Sequence, residues 1–469
     1  MSDKQNKQEV AEAIDINAMI RKAVREAEKG SGLSPVLLRR DAFASAAIST
    51  GCLCLDKILG GGIPGGRIIG ISGPERSGKT LLATQIGANQ VAKYGFLNYL
   101  DAEGSTDPIF LAARGIDFDK YRGKRNKVGE LKPGEVDYVN FYQPSTVEQI
   151  ANFIHLLSNM VPENRNPDRP FCVYVLDSVV ALITDEIDGD LLDANKMAMH
   201  ARAYATYLPV INSDLVRSGS TLIYTNQLRQ KPMAKFENPS YEPCGDALKF
   251  FASARMMLNP TKPKMGDDDH PFLDKEVVPG VAPREGGVWE ESHFDADGNI
   301  LGLDKYIYTG IKTVKNKIYT PFQKCWMRIQ FEENGSTGHG LDPVFDIFTF
   351  LYQEGYIAPS KKEHGKKTKG VFNAYADDQF DPVNEIDMPQ DFNYLEFKKW
   401  VGQNPGLTFK IRDKLLVSGI VYTKEEVAVI DESIKQEVEE TEELMEAVKT
   451  GDVEEIIEKR KRGRPPKTI

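Results

Sequence analysis

The stretch RIIGISGPERSGKTLLATQIGANQVAKYG, residues 67–95, decides the fold of this chain. Its first residues, RIIGIS, form an apolar run typical of a buried strand, and the part from Thr80 to Gly95 has the pattern of a helix. Between them GPERSGKT, residues 73–80, has the spacing G-x-x-x-x-G-K-[ST] of a phosphate-binding loop. Because this loop joins a strand to a helix, the sequence predicts a site for a nucleoside triphosphate.

The residue types in this loop predict how it holds phosphates. Gly73 and Gly78 let backbone N–H groups turn toward the phosphates, and the helix N-terminus adds positive potential. Lys79 is expected to reach the outer phosphates, and the Thr80 hydroxyl is expected to bind Mg²⁺. The predicted nucleotide-binding residues are Gly73, Pro74, Glu75, Arg76, Ser77, Gly78, Lys79 and Thr80.

Short apolar runs alternate with helical patterns between about residues 48 and 330. They include FLNYLD (96–101), FCVYVLD (171–177) and TLIYTN (221–226). This alternation predicts a parallel sheet that helices cover on both faces. Two segments interrupt it, a basic loop at 120–137 and a stretch rich in Pro, Gly and Asp at 259–303.

Polar residues follow these runs at the points where the strands end. Asp177 closes FCVYVLD and is the candidate carboxylate of the Mg²⁺ shell. Glu103, just after FLNYLD, is the candidate general base, and Gln227 is a candidate sensor of the γ-phosphate. Since ligands bind at the carboxyl edge of such sheets, we expect these side chains to converge on the phosphate loop.

The order of motifs along the chain resembles the RecA recombinase family, including its phage-encoded members. The motifs are LDAEGSTDP (100–108), VLDSVVAL (175–182), NQLRQK (226–231), GDALKFFASAR (245–255) and VKNKIYTPF (314–322). The resemblance is strong over about residues 48–330 and weaker at both ends. It implies an α/β fold, with a RecA-like ATPase core of mostly parallel twisted sheet, an N-terminal helix and a small C-terminal α/β domain.

The resemblance also implies roles for individual residues around ATP. Glu103 matches the family's water-activating glutamate, and Gln227 its sensor that links ATP to DNA. Asp107 and Phe110 match residues that hold the adenine.

The resemblance also implies an ATP site that two adjacent protomers share, through the two lysines of the motif VKNK. Lys315 and Lys317 match lysines that reach the ATP of the adjacent protomer. The implied catalytic set is therefore Glu103, Lys79, Gln227, Lys315 and Lys317, and hydrolysis should require a homo-oligomeric filament.

The resemblance assigns DNA contact to two loops, one around Asp190–Arg202 and one at Arg229–Gly245. Basic residues and an aromatic side chain suit phosphates and stretched single-stranded DNA. The candidate contacts are Arg202, Arg229, Lys231, Lys235 and Phe236. The sequence departs from the family at Asp246, an acid where asparagine is usual, and at Glu237, where glycine is common.

The charge distribution divides the C-terminal part of the chain. Residues 424–458 carry fourteen acids and three lysines, net −11, and residues 459–469 carry six basic residues and no acid. Within the basic end RGRPPK resembles an AT-hook, whose Arg462 and Arg464 would lie in an A·T-rich minor groove. A basic tail with nonspecific affinity is the alternative. The lysine-rich loop 360–370 is a candidate contact for duplex DNA.

We expect four parts along the 469 residues. These are an N-terminal polymerisation helix and linker (1–47), the ATPase core (48–335), a C-terminal domain (340–423) and the acidic tail with its basic end (424–469). The N-terminus lacks a signal-peptide pattern, and no apolar run is long enough for a membrane span. Five scattered cysteines argue for buried thiols, so we expect a cytoplasmic protein without a membrane partner.

These features predict an ATP- and Mg²⁺-dependent recombinase that polymerises on single-stranded DNA and exchanges strands with duplex DNA. A helicase or branch-migration motor with the same core is one alternative, but it would not predict VKNK or the ALKF stretch. A mediator filament that binds DNA without useful turnover is another. The insertions at 120–137 and 259–303 and the charged tail favour a phage origin over a bacterial one.

Overall fold

The fold is taken from a computed structural model of the chain. It describes residues 47–93, 96–112, 114–127, 131–132, 137–161, 172–185, 196–230, 240–260, 282–283, 288–294, 300–331, 340–361, 367–377, 379–404 and 406–416. The predicted N-terminal helix, the acidic tail and its basic end lie outside these residues.

Six parallel strands form the centre of the main sheet, in the order β3-β2-β4-β5-β1-β8. The strands of this part are β1 (Ile68–Gly73), β2 (Leu97–Asp101), β3 (Val139–Tyr142), β4 (Val173–Asp177), β5 (Thr221–Gln227) and β8 (Ala254–Asn259). A separate two-residue hairpin pairs β6 (Arg229–Gln230) with β7 (Ser240–Tyr241). The strands β1, β2 and β4 are buried along their whole length, as their continuous apolar sequences predict.

Antiparallel strands extend this sheet beyond β8. They are β9 (Ala282–Pro283), β10 (Val288–Phe294), β11 (Ile300–Asn316), β12 (Lys324–Phe331) and β13 (Gly340–Leu341). The long strand β11 pairs with β8 on one side and with β12 on the other. Part of the segment 259–303 therefore belongs to the sheet, as β9, β10 and the start of β11.

Helices cover both faces of the sheet, which confirms the predicted α/β architecture. The helices of this part are α1 (Leu53–Leu59), α2 (Lys79–Lys93), α3 (Pro108–Ala112), α4 (Val147–Asn159), α5 (Lys196–Ser218) and α6 (Ala247–Phe251). One hydrophobic cluster contains α1 and α2, and a second contains α4 and α5. Thr146 caps the N-terminus of α4, because its hydroxyl accepts a hydrogen bond from the Gln149 N–H at 3.2 Å.

The C-terminal part combines helices with a small antiparallel sheet. Its elements are α7 (Pro343–Gln353), β14 (Ile357–Lys361), β15 (Lys367–Ala374), α8 (Pro382–Ile386), β16 (Phe392–Asn393), α9 (Tyr394–Gln403) and α10 (Leu407–Leu415). The Phe348 ring contacts Phe372, Tyr394 and Phe397 edge-on. The predicted boundaries of this domain stay a prediction.

Buried polar contacts join the C-terminal part to the core. The Asp346 carboxylate accepts hydrogen bonds from the Leu53 N–H at 2.6 Å and the Cys52 thiol at 3.0 Å, at the start of α1. The Arg412 guanidinium pairs with the buried Asp56 carboxylate at 3.1 Å. A buried charge that loses its partner is strongly destabilising. Any packing of the C-terminal part on the core that separated these partners would therefore be disfavoured.

The five cysteines are free and buried, as predicted. Among the described residues, no helix is long and apolar enough to cross a membrane.

The carboxyl group of Asp346 gives a pH-dependent prediction for stability. Burial raises the pKa of Asp346 to about 6, and hydrogen bonds from Cys52 and Leu53 oppose this. Because the native pKa exceeds that of the unfolded chain, Asp346 stabilises the fold fully below pH ~4, and this is lost as pH rises through about 6. We therefore expect the difference in unfolding free energy, Asp346→Asn minus the unsubstituted protein, to increase by up to ~3 kcal/mol as the pH rises between those limits. Denaturant unfolding at several pH values measures this difference.

The matched control is Asp387→Asn, because Asp387 is exposed and has a left-handed backbone that asparagine tolerates. This control should follow the pH dependence of the unsubstituted protein. An unchanged difference between Asp346→Asn and the unsubstituted protein from pH 4 to pH 7 would contradict the prediction.

Candidate nucleotide and nucleic-acid site

The phosphate loop connects β1 to α2 through a backbone that requires glycine at two positions. Gly78 has φ +87°, and a Cβ there would lie 2.5 Å from the Ile329 Cδ1. A Cβ at Gly73 would lie 2.7 Å from the Leu258 carbonyl oxygen. Arg76 also has a positive φ of 61°, which is unusual for a residue with a side chain. The loop therefore packs so closely against β8 and β12 at Gly73 and Gly78 that neither position has room for a side chain.

Lys79 lies at the start of α2, with its side chain mostly buried. Its ammonium donates a hydrogen bond to the Pro74 carbonyl at 2.7 Å, across the loop. Burial lowers the pKa of Lys79, while the carboxylates of Asp177, Glu103 and Glu75 oppose the shift. A buried ammonium that one backbone oxygen satisfies suits the oxygens of a triphosphate, so the loop fits the predicted nucleotide.

Asp177 ends β4 beside the first turn of α2. Its carboxylate accepts a hydrogen bond from the Thr225 hydroxyl at 2.5 Å and another from the Thr80 hydroxyl. Burial raises the pKa of Asp177, and these hydrogen bonds oppose the shift. Thr80 and Asp177, the two predicted metal ligands, are thus adjacent.

Within the described residues, no group of three or more His, Cys, Asp or Glu side chains forms a metal site. A threonine hydroxyl and one carboxylate suit Mg²⁺, since this ion keeps several waters and binds substrate phosphates.

Glu103 and Gln227 meet at the same edge of the sheet. The Gln227 side-chain amide donates to Glu103 Oε1 at 3.2 Å, and the Ser178 hydroxyl donates to the same oxygen at 2.8 Å. The Glu103 N–H donates to the Asp177 carbonyl at 3.2 Å. Ser178 was missed by the sequence reasoning, although it directly follows Asp177 in the motif VLDS.

The two predicted adenine contacts lie at the short helix α3. The Asp107 carboxylate accepts a hydrogen bond from the Ile109 N–H at 2.8 Å, so it caps this helix. The Arg114 guanidinium lies 3.7 Å from the centre of the Phe110 ring. Arg114 therefore already contacts the ring that is predicted to stack on adenine, a partner that sequence reasoning did not find.

Lys315 and Lys317 lie at the end of β11, next to α6. The Lys315 ammonium donates to the carbonyls of Lys249 and Phe250 at 2.7 and 2.8 Å. Partial burial, together with Lys317 and Arg255, lowers the pKa of Lys315 to about 8. The Lys317 ammonium lies 5.8 Å from the Phe250 ring centre, and Phe250 is 70% exposed. Both lysines thus border an exposed aromatic surface.

The described ends of the two predicted DNA loops are neighbours. Arg202 is exposed on α5, and Arg229 is exposed in β6. A Cβ at Gly245 would lie 2.9 Å from the Ala201 Cβ, so the end of the second loop packs against α5. Burial lowers the pKa of His200, Glu148 opposes this, and the positive charge of Arg229 lowers it further. Lys231, Lys235, Phe236, Arg462 and Arg464 lie outside the described residues.

A glycine-rich loop between a buried strand and a helix, with carboxylates at the same sheet edge, defines a phosphate-loop nucleotide-binding α/β protein. The profile of the RecA N-terminal domain matches residues 18–133 and 134–271, which is more than half of the chain. The chain belongs to the RecA family.

Three curated relatives, all bearing the name Protein RecA, support this membership. The one from Rubrobacter xylanophilus is 35% identical over 74% of this chain and 83% of the relative. The one from Thermus thermophilus is 31% identical over 66% of the chain and 72% of the relative. The one from Trichodesmium erythraeum is 29% identical over 85% of the chain and 88% of the relative.

Family membership makes the chain an ATP- and DNA-binding protein of recombination and repair. RecA-family proteins are DNA-dependent ATPases that use ATP with Mg²⁺. The roles of the individual residues and the phage origin stay predictions.

The candidate base gives a test that separates nucleotide binding from turnover. Glu103→Gln keeps an amide oxygen that can accept from Ser178 and Gln227, but it cannot take a proton from water. We expect hydrolysis of ATP to fall by about 10²–10⁴-fold while nucleotide binding is retained. A radiolabelled-phosphate assay and a fluorescent-nucleotide titration measure the two quantities.

Lys79→Ala is the comparison variant, because it removes the buried ammonium at the loop. It should weaken nucleotide binding itself. Normal turnover by Glu103→Gln would exclude Glu103 as the general base.

Proposed function

We propose that this chain is an ATP-dependent recombinase that forms helical filaments on single-stranded DNA and catalyses homologous pairing and strand exchange. The observation that carries the proposal is the hydrogen bond between the Gln227 amide and Glu103 Oε1. Gln227 ends β5, and Arg229 lies two residues further along, at the start of the second DNA loop. The candidate base is therefore linked by one side chain to the start of the candidate DNA-binding loop.

When bound, ATP with Mg²⁺ supplies the phosphoryl group that is transferred to water. Lys79 and the backbone N–H groups of the phosphate loop bind and orient the phosphates, and Thr80 with Asp177 would hold the metal ion. Glu103 orients the attacking water and takes its proton. Gln227 positions the Glu103 carboxylate through Oε1, so a movement of the DNA loop alters the geometry of the base.

We further propose that Lys315 and Lys317 act on the nucleotide of the adjacent protomer. Their support is their place at the exposed end of β11, beside Phe250 and the C-terminal end of α6. In this proposal Lys315 leaves the carbonyls of α6 when a neighbour presents phosphates, because phosphate oxygens bind an ammonium more strongly than neutral carbonyls do. Hydrolysis then depends on filament assembly.

The remaining candidate contacts lie outside the described residues, except that the ends of the segment 360–370 belong to the paired strands β14 and β15. For all of them the sequence-based assignment is kept as a proposal. Lys231, Lys235 and Phe236 contact single-stranded DNA, and the lysine-rich loop 360–370 and the basic end with Arg462 and Arg464 contact duplex DNA. The acidic stretch 424–458 opposes these duplex contacts.

The test of the proposed function is ATP hydrolysis with and without single-stranded DNA, run beside a strand-invasion assay on supercoiled duplex. A recombinase should show hydrolysis stimulated by single-stranded DNA together with joint-molecule formation. Stimulated hydrolysis with duplex unwinding and without joint molecules would indicate a helicase. DNA binding without turnover would indicate a mediator filament.

The shared site gives a complementation prediction. Lys315→Ala/Lys317→Ala should lose the DNA-stimulated part of hydrolysis, because the neighbour's nucleotide loses two positive charges. Mixing it with Lys79→Ala protein should restore part of the ATPase rate, since each variant supplies the half that the other lacks. The rate is measured against mixing ratio, with circular dichroism as the control for folding. Full activity of the lysine variant alone would rule out the shared site.

A further inference from the structure

The described residues of the insertion at 120–137 form a small ribbon that has no part in the nucleotide site or in the two candidate DNA loops. We call its described residues, 120–127, 131–132 and 137–138, the basic ribbon. The Tyr138 N–H donates to the Tyr121 carbonyl at 3.0 Å, and the Lys132 N–H donates to the Lys124 carbonyl at 2.9 Å. An antiparallel bridge joins Arg125 to Leu131. The described residues on the two sides of the ribbon are therefore paired at these three places.

Side chains fix the ribbon to the core. The Arg125 guanidinium pairs with the Asp137 carboxylate at 2.6 Å, and the Gly123 N–H donates to the same carboxylate at 3.0 Å. Tyr121 packs against the hydrophobic core, and the Tyr138 ring centre lies 5.1 Å from that of Phe96. The ribbon thus holds its outward-facing side chains in a defined place.

Those outward-facing side chains are mainly cationic. The segment 120–137 contains six basic and three acidic residues, whereas the chain as a whole has a net charge of −10. The nearest described exposed acids in sequence are Asp117 and Asp119, and the Asp117 carboxylate already accepts two backbone N–H groups of its own turn. The exposed cations are Lys120, Arg122, Lys124, Lys127 and Lys132.

The position of the ribbon separates it from the nucleotide site and from the two DNA loops. Tyr138 immediately precedes β3, and its carbonyl accepts from the Leu97 N–H at the start of β2. The phosphate loop, Glu103 and the DNA loops instead follow the carboxyl ends of their strands. A strand of five residues spans about 16 Å, so β2 separates the ribbon from the nucleotide edge by roughly that distance.

We propose that the basic ribbon is an additional DNA-binding surface that holds the phosphate backbone of duplex DNA. Duplex DNA has the densest phosphate charge, one per about 1.7 Å of axis, and its capture by lysine and arginine needs no base contacts. Single-stranded DNA is less suited, because base stacking needs open aromatic faces. Here the Lys120 ammonium lies 5.2 Å from the centre of the Tyr121 ring, and the ring of Tyr138, a residue that is 42% exposed, packs against Phe96 on one side. The proposal rests on the proposed function only in taking DNA as the partner.

The test compares two full-length variants that change the same charge at different places. Arg122→Gln/Lys127→Gln neutralises two exposed cations of the ribbon and leaves the Arg125–Asp137 pair intact. Lys399→Gln/Lys410→Gln neutralises two exposed cations on α9 and α10. Binding of a fluorescent 30-base-pair duplex is followed by anisotropy at about 50 and 200 mM salt. Hydrolysis stimulated by single-stranded DNA is measured in the same preparations, separately from duplex binding. In the variants it reports on folding, and in the unsubstituted protein it reports on the proposed function.

We expect the ribbon variant to bind the duplex more weakly than the unsubstituted protein does. Because two phosphate contacts are gone, the factor by which its affinity falls between the two salt concentrations should be about tenfold smaller than for the unsubstituted protein. Its stimulated hydrolysis should match that of the unsubstituted protein. Equal duplex binding by the ribbon variant and the unsubstituted protein would overturn the proposal, as would an equal loss in the control variant.

A peptide with the sequence of residues 424–458 tests the competing anionic partner. If the ribbon variant loses binding to this peptide and keeps binding to duplex, the ribbon serves the acidic stretch and the proposal is wrong. If the unsubstituted protein lacks stimulated hydrolysis but the ribbon variant alone loses duplex affinity, the proposed function fails while the duplex surface stands.

Discussion

The parallel register of β1, β2, β4 and β5 is the constraint on which the candidate site depends. Asp101 pairs with Asp177 across β2 and β4, and Gly73 pairs with Gln227 across β1 and β5. Because side chains alternate between faces along a strand, a shift of one residue would turn each polar group to the opposite face. The candidate base Glu103, the candidate metal ligand Asp177 and the phosphate loop can meet only while the buried apolar residues hold this register.

A second dependency runs through α6, between the second candidate DNA loop and Lys315. The chain leaves that loop through Cys244 and Gly245, both with positive φ, and enters α6 directly. The last carbonyls of a helix lack partners within the helix, and here the Lys315 ammonium satisfies two of them. A change in the loop that moved α6 would therefore displace Lys315, and the reverse also holds.

Local sequence was enough to predict the phosphate loop, the parallel core and the meeting of Glu103 with Gln227. Each rests on a short apolar run and the residue that ends it. The partners of these residues were not predictable in the same way. Ser178 contacts Glu103 across 75 positions, and Asp346 caps α1 across more than 290. Such contacts depend on how elements pack in three dimensions, which periodicity along the chain does not encode.

The electrostatics of the nucleotide edge explain why a metal ion and a triphosphate belong there together. Three carboxylates, those of Asp177, Glu103 and Glu75, act on one buried ammonium, that of Lys79. Burial disfavours the charged form of Lys79 and of Asp177 alike. A triphosphate alone would add negative charge beside the carboxylates, and a divalent cation alone would add positive charge beside Lys79. The two together would bring phosphate oxygens to the ammonium and the cation to Asp177, and each buried charge would then gain an opposite partner.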